Sequence, residues 1–146
     1  MDAGLEGSTG KPFDLVVEPG KVREFARAVG AGDPGYLDAE NPVSPPTFLV
    51  TQEFWRGPEN QPPAAAAVDF ARLLHGEQEF VFHGPPPCAG ARLTAVTRIE
   101  KVYQKHGKRG GVMTFMDWLT EFRDERGELV AESRATLLQT SRPVVA

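Results

Sequence analysis

The chain has 146 residues, enough for one domain with a sizeable core and hardly enough for two. Lys and Arg number 16 against 20 Asp and Glu, and the net charge of −4 argues against nucleic acid, whose phosphates call for a basic patch. No apolar run reaches the ~20 residues of a membrane span, the opening Met1-Asp2-Ala3-Gly4 lacks a signal pattern, and a single cysteine, Cys88, excludes an internal disulfide and a cysteine zinc site. These features predict a cytoplasmic protein without a nucleic-acid or membrane partner.

Residues 1–11 are Gly-rich and polar and are expected to be a flexible N-terminus, with one domain over 12–146. Phe13 to Val17 reads as a short strand. Pro19-Gly20 opens a helix whose Val22, Phe25, Ala26 and Val29 form one apolar stripe, with Gly30 and Gly32 as its stop. Residues 30–46 are a loop rich in Gly, Pro, Asp and Asn. Thr47 to Trp55 follows Pro45-Pro46 and is apolar on most sides. It reads as a buried helix, with a strand as the competing reading for so short a run. Residues 57–67 are a Pro- and Ala-rich surface loop.

From Leu73 the period becomes two. Gln78, Phe80 and Phe82 point one way, and His75, Glu77, Glu79, Val81 and His83 the other. Leu93, Ala95, Thr97 and Ile99 mark a half-buried strand. His106 to Gly110 is a turn. Val112 to Phe122 is apolar on both faces and so is expected at the centre of the sheet. Asp124 to Gly127 is a hairpin loop, and Leu129, Ala131, Ala135 and Leu137 form the last strand's buried face. Helices at one end and an antiparallel meander at the other mean α+β. The expected architecture is a curved antiparallel sheet wrapped round a central helix, with an exposed edge strand that invites dimerisation.

Four segments carry a resemblance: PGKVREFARAVGAGDPGYLD over 19–38, PPTF over 45–48, LHGEQEF over 74–80 and HGPPPCAGARL over 83–93. In this order they resemble the N-terminal MaoC-like dehydratase domain of the hot-dog superfamily, from about Phe13 to Thr140. The resemblance implies a single hot-dog fold, a pairwise assembly, and acyl thioesters on coenzyme A or acyl carrier protein as ligands. Active members carry a loop Gly-Asp-x-Asn-Pro-(Ile/Leu)-His-x-Asp, whose Asp and His move a water across the α,β bond of an enoyl thioester. That chemistry needs a proton acceptor and donor within reach of the water, and an N–H to polarise the thioester oxygen.

Against that loop this chain reads Gly30, Ala31, Gly32, Asp33, Pro34, Gly35, Tyr36, Leu37, Asp38. Ala31 stands at the aspartate position and Tyr36 at the histidine position. A methyl group has no proton chemistry, and a phenol, ordinarily of pKa about 10, is a poor base at neutral pH. The resemblance therefore implies a non-catalytic, acyl-binding subunit, in a homodimer or paired with a hot-dog chain that carries the Asp and His. Tyr36, Thr47, Phe48, Phe54, Trp55 and His75 are the candidate binding or interface residues, with core packing as the plainer reading of the aromatic ones.

Other residues are candidate catalytic groups. Asp33 is a displaced carboxylate candidate with His75 or His83 as partner, although loop aspartates commonly cap turns. His75 and Glu77, placed on one strand face, could orient each other, and Gly76 between them would let a ligand or another backbone come close. Glu53 on the proposed buried helix resembles the acidic residue of some hot-dog thioesterases. A stand-alone thioesterase or hydratase, and an acyl-ligand binding protein without chemistry, are the alternatives. Lys105 to Arg109 is a basic hairpin tip that could meet the phosphates of a thioester carrier. Cys88 has no nucleophile setting. No metal-ligand spacing and no nucleotide fingerprint is present, so no cofactor is expected.

Overall fold

The computed structural model describes residues 3–107 and 111–141. Five strands form one antiparallel sheet: β1 (Phe13–Val16), β2 (Leu73–Phe82), β3 (Arg92–His106), β4 (Val112–Arg123) and β5 (Leu129–Gln139), in the order β1-β3-β4-β5-β2. β4 is central, as its two apolar faces predict. β1 and β2 are the edges, and most of β2 is exposed.

The register sorts the side chains onto two faces. Ala95, Thr97, Ile99 and Val102 of β3 lie beside Phe122, Thr120, Trp118 and Met116 of β4, and these beside Ala131, Ser133, Ala135 and Leu137 of β5. This inner face carries two apolar clusters. The first joins Phe13, Leu15, Leu93, Phe122 and Ala131 to Val22 of the helix and to Phe48 and Leu49. The second joins Ile99, Met116 and Trp118 to Ala65 and Val68. Burial of a large apolar side chain stabilises by ~1.5–3 kcal/mol, so these clusters are the main cohesive term.

Helix α1 (Pro19–Ala28) starts on a proline at its first position and buries Val22 and Ala26, with Phe25 edge-on to Phe48 at a ring separation of 5.7 Å. Val29 is not part of its buried stripe: it caps the helix and is 53% exposed. A four-residue helix α2 (Pro34–Leu37) follows.

Phe48–Phe54 is a 3₁₀ segment rather than the expected buried α-helix. Pro45 and Pro46 before it and Pro58 after it leave no room for a longer helix. Phe48 and Leu49 plug the inner face, but Val50 is 45% exposed and Phe54 77%. The 57–67 stretch also folds, as short 3₁₀ turns (Pro58–Asn60, Pro63–Ala67) that bury Ala65.

Residues 3–11, expected to be loose, are hydrogen-bonded alongside β3: Gly7 N donates to Ile99 O at 2.9 Å and Gly10 N to Thr97 O at 2.9 Å. Val130 rather than Leu129 packs on the first cluster, because a register shift next to Arg123 places an extra residue there. The Asp124–Gly127 turn forms as predicted, with Asp124 Oδ1 accepting from Arg126 N and Glu128 N at 2.9 Å each. Gly127 has φ +83°, a conformation glycine takes without strain. Lys108, Arg109 and Gly110 of the basic tip, and residues 142–146, lie outside the described residues. Among the described residues no helix is long and apolar enough to cross a membrane.

Gly10 tests the packing of the N-terminal stretch. A Cβ there would collide with the backbone oxygen of Asn60, whereas one at Gly4 would meet nothing within 4 Å. Gly10→Ala is expected to lower the unfolding free energy by ~2–3 kcal/mol, the scale of overpacking a tight site. Gly4→Ala should stay within ~0.5 kcal/mol. Urea unfolding of both variants checks the pair.

Candidate functional site

The inner face does not close fully. Against the second apolar cluster lies a cavity of about 320 Å³, roofed by the 3₁₀ segment and floored by β2–β5. Its volume sits at the lower end of the ~300–1,000 Å³ of small-molecule sites. One rung of the sheet crosses its floor: Thr97 pairs with Thr120, and Thr120 with Ser133. Thr97 Oγ1 and Thr120 Oγ1 share a hydrogen bond of 2.9 Å, and Ser133 Oγ accepts from Gln78 Nε2 at 2.9 Å.

His75 lines this cavity, and Glu77 does not. The expected common face of the two residues is broken by a β-bulge. His75 pairs with Leu137 and Glu77 with Thr136, leaving Gly76 as an extra residue. His75 therefore joins Gln78, Phe80 and Phe82 on the inner face, while Glu77 turns outward. Gly76 does allow a close approach: a Cβ there would stand 2.9 Å from Leu138 Cδ2 and 3.2 Å from Thr136 O.

Glu53 also lines the cavity but is neither buried nor free. Its carboxylate accepts two hydrogen bonds from Arg56 at 2.6 Å each and is 54% exposed, whereas the Arg56 side chain is only 10% exposed. Phe48 and Trp55 belong to the core cluster instead of the cavity wall. Thr47 and Phe54 are exposed.

The 30–38 loop lies apart from the cavity lining. Ala31 N donates to Ala26 O at 2.8 Å, ending α1. Asp33 takes its commoner role, capping α2 through Oδ1, which accepts from Gly35 N at 2.7 Å. Tyr36 is half-buried within α2. Arg23 clamps the loop end, donating from Nε to Leu37 O at 3.0 Å and from Nη2 to Ala39 O at 2.9 Å.

On the outer face His83 Nε2 bonds Glu132 Oε2 at 2.8 Å, and Arg134 donates to Glu132 Oε1 at 2.8 Å. Glu132 is buried, and the His83 hydrogen bond, aided by Arg134, holds its carboxyl below the usual 4.5 against the opposing effect of burial. His83 is thus partnered with Glu132, not with Asp33. Tyr103 and Phe115 stack at 5.1 Å with Lys105 over both rings. Among the described residues no group of three or more His, Cys, Asp or Glu is arranged to hold a metal. Cys88 is a free, exposed thiol beside a turn.

Three cavity residues went unnoticed in sequence: Gln52, Arg56 and Trp118. Gln52 Oε1, Arg56 Nε and Trp118 Nε1 are buried without a hydrogen-bond partner. The available signal was a pair of polar residues four apart beside an apolar run.

Residues 5–133 match the FAS1-like dehydratase domain region. A UPF0336 protein of Streptomyces griseus is 33% identical over 147 residues, with 94% of each chain covered. A UPF0336 protein of Streptomyces coelicolor is 32% identical over 135 residues, covering 87% of this chain and 85% of that one. Among solved structures, the C-terminally truncated HadBC (3R-hydroxyacyl-ACP dehydratase) complex of Mycobacterium tuberculosis matches with a TM-score of 0.73 and 26% identity. That match covers 94% of this chain and 98% of the other. The α+β architecture described above is the hot-dog fold of these dehydratases.

The Glu132 cluster has a measurable consequence for acid stability. A carboxyl whose folded-state pKa is depressed contributes stability that is present above the unfolded value of 4.5 and is lost as pH falls through the folded value. The wild-type chain is expected to lose more unfolding free energy between about pH 5 and pH 3 than Glu132→Gln does. Urea unfolding at both pH values reads the difference, and equal losses would mean the His83–Glu132–Arg134 cluster contributes nothing to acid stability.

Proposed function

The chain belongs to the FAS1-like dehydratase family, and from that premise we propose that it is the non-catalytic, acyl-thioester-binding subunit of a 3-hydroxyacyl-thioester dehydratase. The observation that carries this reading is the 30–38 loop. It offers a methyl group at Ala31 and a half-buried phenol at Tyr36, and of its two aspartates Asp33 is engaged in capping the start of α2 and Asp38 ends that helix. No proton acceptor and donor face each other there, so the water chemistry needs groups from another chain.

Two features support a binding role in a pair. The cavity beside the second apolar cluster supplies a place for an acyl group. Strand β2, ten residues long, leaves one edge of backbone N–H and C=O groups unpaired by this sheet, which suits strand-to-strand pairing with a second hot-dog chain. The similar HadBC structure is a 3R-hydroxyacyl-ACP dehydratase complex. In this reading the partner contributes the Asp and His, and the thioester is carried on coenzyme A or acyl carrier protein in the cytoplasm. Tyr36 and Thr47 would face the partner, His75 would meet the acyl group, and Phe48 and Trp55 would support the cavity from the core.

A second reading rests on a specific observation: His75 and Glu53 line the same cavity. They could serve a stand-alone hydratase or thioesterase. The tight Arg56 pairing counts against Glu53, because both carboxylate oxygens are already engaged by the guanidinium.

Hydration of crotonyl-CoA, followed as loss of enoyl-thioester absorbance, separates these readings. The purified chain alone is expected to show no rate above background. Adding a hot-dog chain with an intact Gly-Asp-x-Asn-Pro-x-His loop should raise it by at least ~10²-fold, the lower scale of acid–base catalysis. A rate from the chain alone that disappears in His75→Ala would overturn the subunit reading, and thioester hydrolysis abolished by Glu53→Gln would replace it with the thioesterase.

A further inference from the structure

Strand β2 ends the sheet, so the backbone groups along its outer side have no strand partner among the described residues. Large apolar side chains lie near this edge. Phe70 is 75% exposed, and Leu74 and Val50 are exposed as well. Phe70, Val50 and His75 also line the cavity, so the edge borders it. An open ladder beside exposed apolar residues has the composition of a strand-pairing interface.

The charges on the strand decide which chain can pair there. Beyond the Gly76 bulge, Glu77 and Glu79 share the outer face, and both are exposed. Neither is in an ion pair among the described residues. Arg134, opposite Glu79 on β5, is instead held by Glu132 at 2.8 Å and lies 3.9 Å from Glu100. Glu77 and Glu79 line a shallow outer concavity with Glu100 and Asp117, and Arg134 is the one cation among its lining residues. Lys101 and Arg98, other cations of this face, sit on β3, three strands from β2. That is ~14 Å at the usual strand spacing, beyond the ~8–10 Å over which salt leaves exposed charges visible to each other.

Two copies of one strand that pair about a two-fold axis run antiparallel, and residues directly opposite share a face. With the axis at Gln78, Glu77 of each copy meets Glu79 of the other. With the axis at Glu77 or at Glu79, that glutamate meets itself. Every register centred on this segment therefore sets like charges opposite one another, at Cβ separations of ~4.5–5.5 Å. The segment is the middle of Leu73–Phe82, where a pairing that uses the whole strand is centred.

We propose that Glu77 and Glu79 select the partner at this edge. They turn away a second copy of this chain and admit a hot-dog chain whose pairing strand carries Lys or Arg on its outer face. The proposal rests on the paired-subunit reading and deepens it by naming the chemistry of the partner strand. Opposite charges across two strands stabilise a sheet and like charges destabilise it, so one pattern serves both attraction and exclusion.

Sedimentation velocity and native mass spectrometry of the full chain, with Cys88 kept reduced, test this without the natural partner. Glu77→Gln/Glu79→Gln is expected to self-associate about tenfold more tightly than the wild type at low salt, and the difference should shrink at high salt. In an equal mixture of the wild type with Glu77→Lys/Glu79→Lys, mixed pairs should exceed their statistical share in any register. Should the lysine variant fail to fold, the glutamine variant decides alone. A wild-type homodimer as tight as that of the glutamine variant, and indifferent to salt, would overturn the proposal while edge pairing stands. If neither variant forms pairs, alone or in the mixture, both the proposal and the edge pairing of the subunit reading fall.

Discussion

The geometry of the cavity depends on one backbone irregularity, the extra residue at Gly76. Without it, strict alternation would put His75 on the face opposite Gln78, because the two are three residues apart. With it, both reach the cavity and Glu77 joins Glu79 on the outer face near Arg134. The bulge is possible because the residue has no side chain. Leu138 and the carbonyl of Thr136 occupy the space a Cβ would need. The same position thus fixes what lines the cavity and strengthens the local bend of an exposed edge strand.

A second constraint is energetic. The inner face buries apolar residues in two groups and interrupts them with one polar rung. The two apolar clusters hold the ends of the face: β1, α1 and the Phe48–Leu49 plug at one, and Ala65, Val68 and Trp118 at the other. Thr97 and Thr120 satisfy each other across β3 and β4, so the rung can be buried without a large penalty. The Gln52, Arg56 and Trp118 atoms are not satisfied in this way. The second cluster also walls the cavity, through Ala65, Val68 and Trp118.

What could be read from the sequence followed from periodicity. The strands β2 to β5 and the central place of β4 were visible because alternation of apolar residues reports two-sided burial directly. The bulges at Gly76 and Val130 were not visible, since a one-residue insertion leaves composition unchanged while reversing the faces beyond it. The Phe48–Phe54 segment looked like a buried helix because its apolar content was high. Its short length between prolines produced a 3₁₀ turn that exposes Val50 and Phe54 instead. Of the site, Glu53 and His75 were found as residues but not in their settings. Gln52, Arg56 and Trp118 were missed because their significance lies in unsatisfied hydrogen bonds, a property of packing and not of order along the chain.

The 30–38 loop shows how fold and chemistry separate. Two hydrogen bonds from Arg23 fix its far end, Asp33 caps α2, and the Ala31 amide closes α1. Each of these contacts holds the backbone, and none depends on a proton-transfer group at positions 31 or 36. Ordering a loop of this length costs ~1–2 kcal/mol per residue in backbone entropy, so a conformation held at so many points is an essential part of the structure even without acid–base groups. The proposed subunit role would account for that. A loop with no chemistry of its own can still present a fixed surface, and in a paired dehydratase that surface would face a partner whose own loop must be positioned to react.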